Sequence, residues 1–218
     1  MPLDAMGQIT TFAFHIKKHY LSVMTKSSIQ TRLMNKATDY LGRYATSQHR
    51  LREVLARFAL RQLNDQNPDK IATAISATVE RCQKLGYLDD VAYAQSQARK
   101  HRKQGRSKLR IRQRLRQHML DDSIINAALC AADQHTADGE LLAACRFARR
   151  RRIGPFDHRR YVDKENLSAV TQRAQRQLGS LARAGFSMAV SNIVIRLESM
   201  DAAEMLIDQL ELGEGLTI

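Results

Sequence analysis

From residue 30 almost to the end of the chain, apolar residues recur at helical spacing, and hardly anywhere do they alternate as strands require. Leu33, Ala37, Tyr40, Leu41 and Tyr44 share one face of a segment over 31–45. Thr46 or Ser47 then offers a cap for a second helix, with Leu51, Val54, Leu55 and Phe58 on its inner face. The stretch 64–68, Asn-Asp-Gln-Asn-Pro, interrupts the pattern. A third stripe of Ile71, Ala74, Ile75, Thr78 and Val79 runs on towards Leu85, and Gly86 supplies a stop.

The plan recurs. Asp89 or Asp90 caps a helix with Tyr93 and Ala94 inward, and Gly105 breaks it. Ser107 caps a helix over 108–120 whose apolar stripe is Ile111, Leu115, His118 and Met119. Asp121 or Asp122 caps the next, with Ile124, Ile125, Ala128 and Leu129 inward. A third round takes 140–154, 166–186 (Leu167, Val170, Ala174, Leu178 and Leu181 inward) and 187–197 (Val190, Ile193, Val194 and Leu197 inward). Tyr40, Tyr93 and Phe147 fall in equivalent first helices, 53 and 54 residues apart. The expected fold is all-α: three-helix modules at 30–86, 87–136 and 137–198, stacked as a chain of small cores. Flanking them are a weakly patterned extension at 1–29 and an acidic segment at 199–218. In that last segment Met200, Ala203, Leu206, Ile207 and Leu210 still keep helical spacing, which predicts one more helix. Met24 and Met34 are alternative starts for the natural chain.

Composition agrees with helix. The chain of 218 residues has three prolines, ten glycines and no tryptophan. Its 44% hydrophobic content is enough to bury a core. Charge changes the picture more. The formal net charge is +13, which points to an anionic partner: nucleic acid, a membrane surface or an acidic protein. Between Asp90 and Asp121 there is no acidic residue and there are ten basic ones. A merely solvated face would intersperse glutamate, because like charges at i,i+4 repel. Arg102, Lys103, Arg106, Lys108, Arg110, Arg112, Arg114 and Arg116 are therefore the first candidates for partner contact, with Arg112 and Arg116 the pair to reverse in charge. Arg149, Arg150, Arg151 and Arg152 form a second cluster, followed by Arg159 and Arg160. The guanidinium fork suits phosphate and carboxylate alike, so chemistry alone leaves both partners open.

Other chemistry is thin. Cys82, Cys130 and Cys145 are odd in number and lack Cys-x-x-Cys spacing, so neither a disulfide framework nor a zinc site is expected. The seven histidines have no metal-ligand spacing, and no phosphate loop, zinc-protease or hydrolase motif occurs. The adjacent carboxylates Asp89 and Asp90 point in different directions from a helix start. They read as cap and dipole partner, with Leu88 and Tyr93 as a hydrophobic staple, rather than as a catalytic pair or a metal site. The expectation is no enzyme, no cofactor and no metal. No apolar run approaches the ~20 residues that cross a bilayer. At the N-terminus Asp4 precedes the apolar stretch and Lys17 and Lys18 follow it, the wrong order for a secretory signal. A cytoplasmic, monomeric protein without a membrane role is expected.

The stretch "GYLDDVAYAQSQARKHRKQGRSKLRIRQRLRQHMLDDSIINAAL", 86–129, closely resembles the central region of the bacterial RecX family of regulatory proteins. The shared features are the Gly-Tyr-Leu-Asp-Asp start, the aromatic-Ala pair, the basic helix and the short acidic cap. "KATDYLGRYATSQHRLREVLARFAL", 36–60, resembles the family's first helix pair, although Arg43 and Ser47 stand one residue further apart than the family's Arg-x-x-Ser. The third module matches only in its helical plan. The resemblance implies tandem three-helix modules in an elongated, curved molecule. It implies a non-enzymatic role: binding in the groove of the RecA–DNA filament, limiting its growth and suppressing RecA's ATPase, strand-exchange and co-protease activities in DNA repair and the SOS response. Whether the enclosed single-stranded DNA is touched as well stays open. So does the alternative of a stand-alone basic DNA-binding protein, and so does an acidic tail that folds back on the basic face.

Overall fold

The computed structural model describes residues 28–64, 66–158 and 167–213. Among them are ten α-helices, one 3-10 turn and no strand. The expectations for residues 1–27 and for Arg159 and Arg160 lie outside the described residues. The chain divides into two compact units, Met1–Leu88 and Asp89–Ile218.

In the first unit, α1 (Ile29–Leu41), α2 (Gln48–Gln62) and α3 (Pro68–Lys84) close one core. Local chemistry starts each helix. Ser28 Oγ accepts from the Thr31 N–H and Ser47 Oγ from the Arg50 N–H. Asn67 Oδ1 accepts from the N–H groups of Asp69 and Lys70, with Pro68 pre-set for the first helical position. Leu33, Leu51, Leu55, Leu63 and Val79 are buried at the centre. Each such side chain contributes about 1.5–3 kcal/mol of transfer free energy.

The second unit holds two cores. Around the first, α4 (Asp90–Lys103), α5 (Lys108–Arg116) and α6 (Asp122–Asp133) bury Ala94, Ala98, Ile111, Leu115, Leu120, Ile125 and Leu129. Asp89 Oδ1 accepts from the N–H groups of Val91 and Ala92, both at 2.9 Å, and so starts α4. Around the second, α7 (Gly139–Arg151), α8 (Leu167–Arg183), α9 (Met188–Arg196) and α10 (Met200–Leu212) pack with the 3-10 turn Gly154–Phe156. Leu141, Leu142, Cys145, Leu181 and Val194 lie at its centre.

Four details differ from the pattern-based expectation. Helix α5 stops at Arg116, because Met119 adopts a left-handed backbone (φ 53°) that turns the chain. Met119 is thereby 70% exposed, and Leu120 takes the buried slot expected for it. Ile193 is exposed beside the buried Val194. Leu88 is buried in the first unit's core, and Tyr93 packs on α4–α6 and meets His118 edge-on, a ring contact that the apolar pattern does not specify. Finally, the acidic segment is no separate tail. Ala203, Leu206, Ile207 and Leu210 of α10 are buried in the core of α7–α9, and its acids Glu204 and Glu211 pair with Arg149 and Arg146 of α7 at 2.7 Å.

Candidate anion-binding cleft

The two cores of the second unit are clamped together along one seam. Arg102, near the end of α4, is 3% exposed. Its Nε and Nη2 donate to Asp133 Oδ1 and Oδ2 at 2.8 and 2.9 Å, and its Nη1 donates to Glu140 Oε2 at 2.8 Å and to the Arg106 carbonyl at 3.1 Å. Four of its five N–H donors are thus committed within the fold, and the side chain is buried. Arg102, grouped by sequence with the partner contacts, is therefore an internal clamp between α6 and α7. Lys108 also reaches Asp133, at 3.1 Å.

Next to the clamp the chain turns at Gly105, whose φ of +68° suits glycine. The backbones touch here: a Cβ at this position would lie 2.6 Å from the Phe147 nitrogen and 2.9 Å from the Ala143 carbonyl. Ser107, the cap of α5, donates to the Ala184 carbonyl at 2.6 Å, fastening α5 to the end of α8.

These close approaches leave an open cleft of about 500 Å³ between α5, the end of α7 and the end of α8. Its walls carry Arg106, Arg110, Arg114, Arg150, Arg151 and Arg183 and, among the described residues, no carboxylate. Gln113, Gln117 and Ser180 add neutral polar groups. Helix α5 sorts its side chains to make this possible. Arg110, Gln113, Arg114 and Gln117, at i, i+3, i+4 and i+7, form the face turned to the cleft. Arg112 and Arg116 lie on another face. Arg112 donates to Asn126 Oδ1 at 2.9 Å, and Arg116 forms a two-pronged pair with Asp122 at 2.8 Å. The structure thus gives internal partners to the pair singled out from sequence.

The second basic cluster divides in the same manner. Arg149 is engaged with Glu204. Arg150 donates to the Gln104 carbonyl at 2.5 Å, and Arg150 and Arg151 sit 5.8 and 6.0 Å from the centre of the Phe147 ring. Lys103 and Arg152 are exposed and do not line the cleft. Among the described residues, none of the cleft's six arginines is paired with a carboxylate. The crowding has an electrostatic cost. Loss of solvent first, and then the charges of Arg114, Arg150 and Arg110, push the Arg106 guanidinium below the ordinary arginine range. Arg183 was missed by sequence reasoning, since it is one of three spaced arginines in an ordinary amphipathic helix, some thirty residues beyond the cluster at 149–152.

Nothing else among the described residues gathers chemistry. No group of three His, Cys, Asp or Glu side chains could hold a metal ion. No helix is long and apolar enough to cross a membrane. Cys145 is buried, and that burial, with Asp138 and Glu204 nearby, pushes its thiol up to about 12.

Among the described residues, small helical cores and a cleft walled by arginines define the class: an all-helical protein with a basic cleft. The comparisons make it specific. The family model for RecX, second three-helix domain, matches residues 89–129. The "Regulatory protein RecX" of Myxococcus xanthus is 32% identical over 167 residues, covering 76% of this chain and 84% of the relative. That of Agrobacterium fabrum is 28% identical over 174 residues, covering 80% and 87%. A solved structure titled "Crystal structure of regulatory protein RecX" superposes with a TM-score of 0.57 at 22% identity, covering 89% of this chain and 78% of that one. The chain belongs to the RecX family of regulatory proteins, which are not enzymes.

Proposed function

We propose that this protein binds the RecA–DNA filament as a monomer in the cytoplasm and restrains RecA's ATPase, strand-exchange and co-protease activities, in DNA repair and the SOS response. The observation that carries the reading is sequence identity with "Regulatory protein RecX" relatives over most of both chains. The basic surface supports it, since a filament of nucleic acid and protein is an anionic target. The contact set this reading favours is Arg106, Arg110, Arg114, Arg150 and Arg151, with Lys103, Lys108 and Arg152 at the margins. Arg102 is left out because it is consumed internally.

Co-sedimentation with RecA filaments assembled on single-stranded DNA tests the proposal. The expected result is saturable binding that charge reversal by Arg110→Glu with Arg114→Glu removes, while the far-UV CD stays helical. Failure of the unaltered protein to sediment with filaments would refute it. The cleft favours a second reading, a DNA-binding protein that needs no RecA. In that case naked DNA would be bound as tightly as the filament.

A further inference from the structure

We propose that the arginine cleft of the second unit is a binding site for the phosphodiester backbone of a single nucleic-acid strand. The inference deepens the reading above and rests on it only for the biological setting. Four features of the cleft carry it.

The first is the arrangement of charge. Arg106, Arg110 and Arg114 follow one another every four residues, so the two on α5 stand about 6 Å apart along the helix. Arg150, Arg151 and Arg183 face them from other elements. One small anion cannot answer a spread of positive charge of this length. A polymer that repeats its charge can.

The second is the lack of competition. The fold supplies carboxylates to Arg102, Arg116, Arg146 and Arg149 at 2.7–2.8 Å, yet among the described residues it brings none to the cleft wall. These guanidiniums repel one another and are held together by the packing at Gly105 and Ser107. An arrangement that is costly when empty is relieved by a polyanion.

The third is polarity, which separates a nucleic acid from an acidic protein. A protein partner buries an apolar patch at the centre of its interface. Interfaces with nucleic acid are more polar and much more positive. Here Phe147 is the one large apolar side chain among the described residues of the wall, and it is almost wholly buried beneath Arg150 and Arg151. Gln113, Gln117 and Ser180 are neutral donors of the kind that bond phosphate oxygens.

The fourth is size. A cleft of about 500 Å³ has room for roughly one or two nucleotides, as pockets of this class hold molecules of that size. A duplex does not enter it. With no exposed aromatic platform among the described residues of the wall, contact is to backbone and not to bases, and binding is indifferent to sequence.

The test uses the whole protein and a fluorescein-labelled thymidine 20-mer, without RecA, over a range of salt. The unaltered protein is expected to bind with a log–log salt slope of about −0.7 per phosphate contact. Arg110→Gln, Arg114→Gln and Arg183→Gln together should remove about one unit of that slope, the one or two phosphates the cleft holds at that figure each. The same three positions changed to lysine should restore most of it. Arg52→Gln, Arg57→Gln and Arg61→Gln, on the first unit, should leave it unchanged. CD and thermal unfolding establish that each variant is folded. An unchanged slope in the cleft variant, or an equal loss in the first-unit variant, would overturn the proposal. Equal or tighter binding of poly-L-glutamate would overturn it in favour of an acidic protein segment. The RecA reading fails separately: an unaltered protein that binds the oligonucleotide through the cleft but has no effect on RecA ATPase would leave the cleft standing without that setting.

Discussion

Arg102 and Asp133 meet in a two-pronged pair at 2.8 and 2.9 Å, and through the third guanidinium nitrogen the same arginine holds Glu140 at 2.8 Å on the next core. One side chain thus ties α4 to α6 and to α7. Removing one partner of a buried pair leaves the other charge uncompensated, at a cost of about 3–5 kcal/mol. Arg102→Met is expected to destabilise the second unit by that amount in urea unfolding. Arg102→Lys should recover little, because an ammonium cannot make the fork. A loss below about 1 kcal/mol for Arg102→Met, the range of an exposed pair, would contradict the role as a clamp.

Gly105 and Gly86 separate conformation from crowding. Both have positive φ, +68° and +73°, but only at Gly105 would a Cβ meet backbone atoms, whereas at Gly86 nothing lies within 4 Å. Gly86→Ala should cost about 1–2 kcal/mol for the left-handed backbone alone. Gly105→Ala should cost about 1–3 kcal/mol more as the α4–α5 turn is forced off α7. Thermal unfolding of the two variants checks the order, which equal shifts would refute.

Much of this was legible in the sequence. The three apolar stripes, Ser47, Asp89 and Ser107 all carry local signals that backbone chemistry obeys, whereas Asn67 with Pro68 read only as a break and proves to be the start of α3. Arg102 also carried a signal, hidden by the basic run around it. Ala94, Ala98, His101 and Arg102 stand at i, i+4, i+7 and i+8, and all four are buried. The stripe marks Arg102 as inward, but sheer charge density argues the opposite. Two things had no local trace. The packing of α10 on α7–α9 depends on contacts some sixty residues apart, such as Arg146 with Glu211. Arg183 joins the cleft only through the turn that brings Ala184 onto Ser107.

His101 makes stability depend on pH. It is 4% exposed, and its Nε2 has no hydrogen-bond partner among the described residues. Burial first, and then Arg106, Arg114 and Lys100, hold its pKa below the ordinary 6.5, against the Nδ1 bond to Gln104. The unfolded chain therefore binds the proton more readily. The contribution of neutral His101 is whole above 6.5 and is lost as pH falls through that value towards the folded one. Denaturation midpoints between about pH 5 and 7.5 should decline on the acid side. His101→Gln should flatten that decline, and an identical decline in the variant would assign it to other groups.

The cysteines should differ in reactivity. Cys130 is exposed, whereas Cys82 and Cys145 are buried and their thiols are raised by that burial. A disulfide reagent at pH 8 is expected to modify one thiol quickly and the other two only on unfolding. Rapid reaction of all three would mean that the cores open readily.

The most direct test of the central claim is RecA ATPase on single-stranded DNA, with this protein titrated in at substoichiometric ratios. The account predicts inhibition well below one molecule per RecA, and its loss in the folded Arg110→Glu, Arg114→Glu variant. Undiminished ATPase in the presence of excess unaltered protein would contradict it.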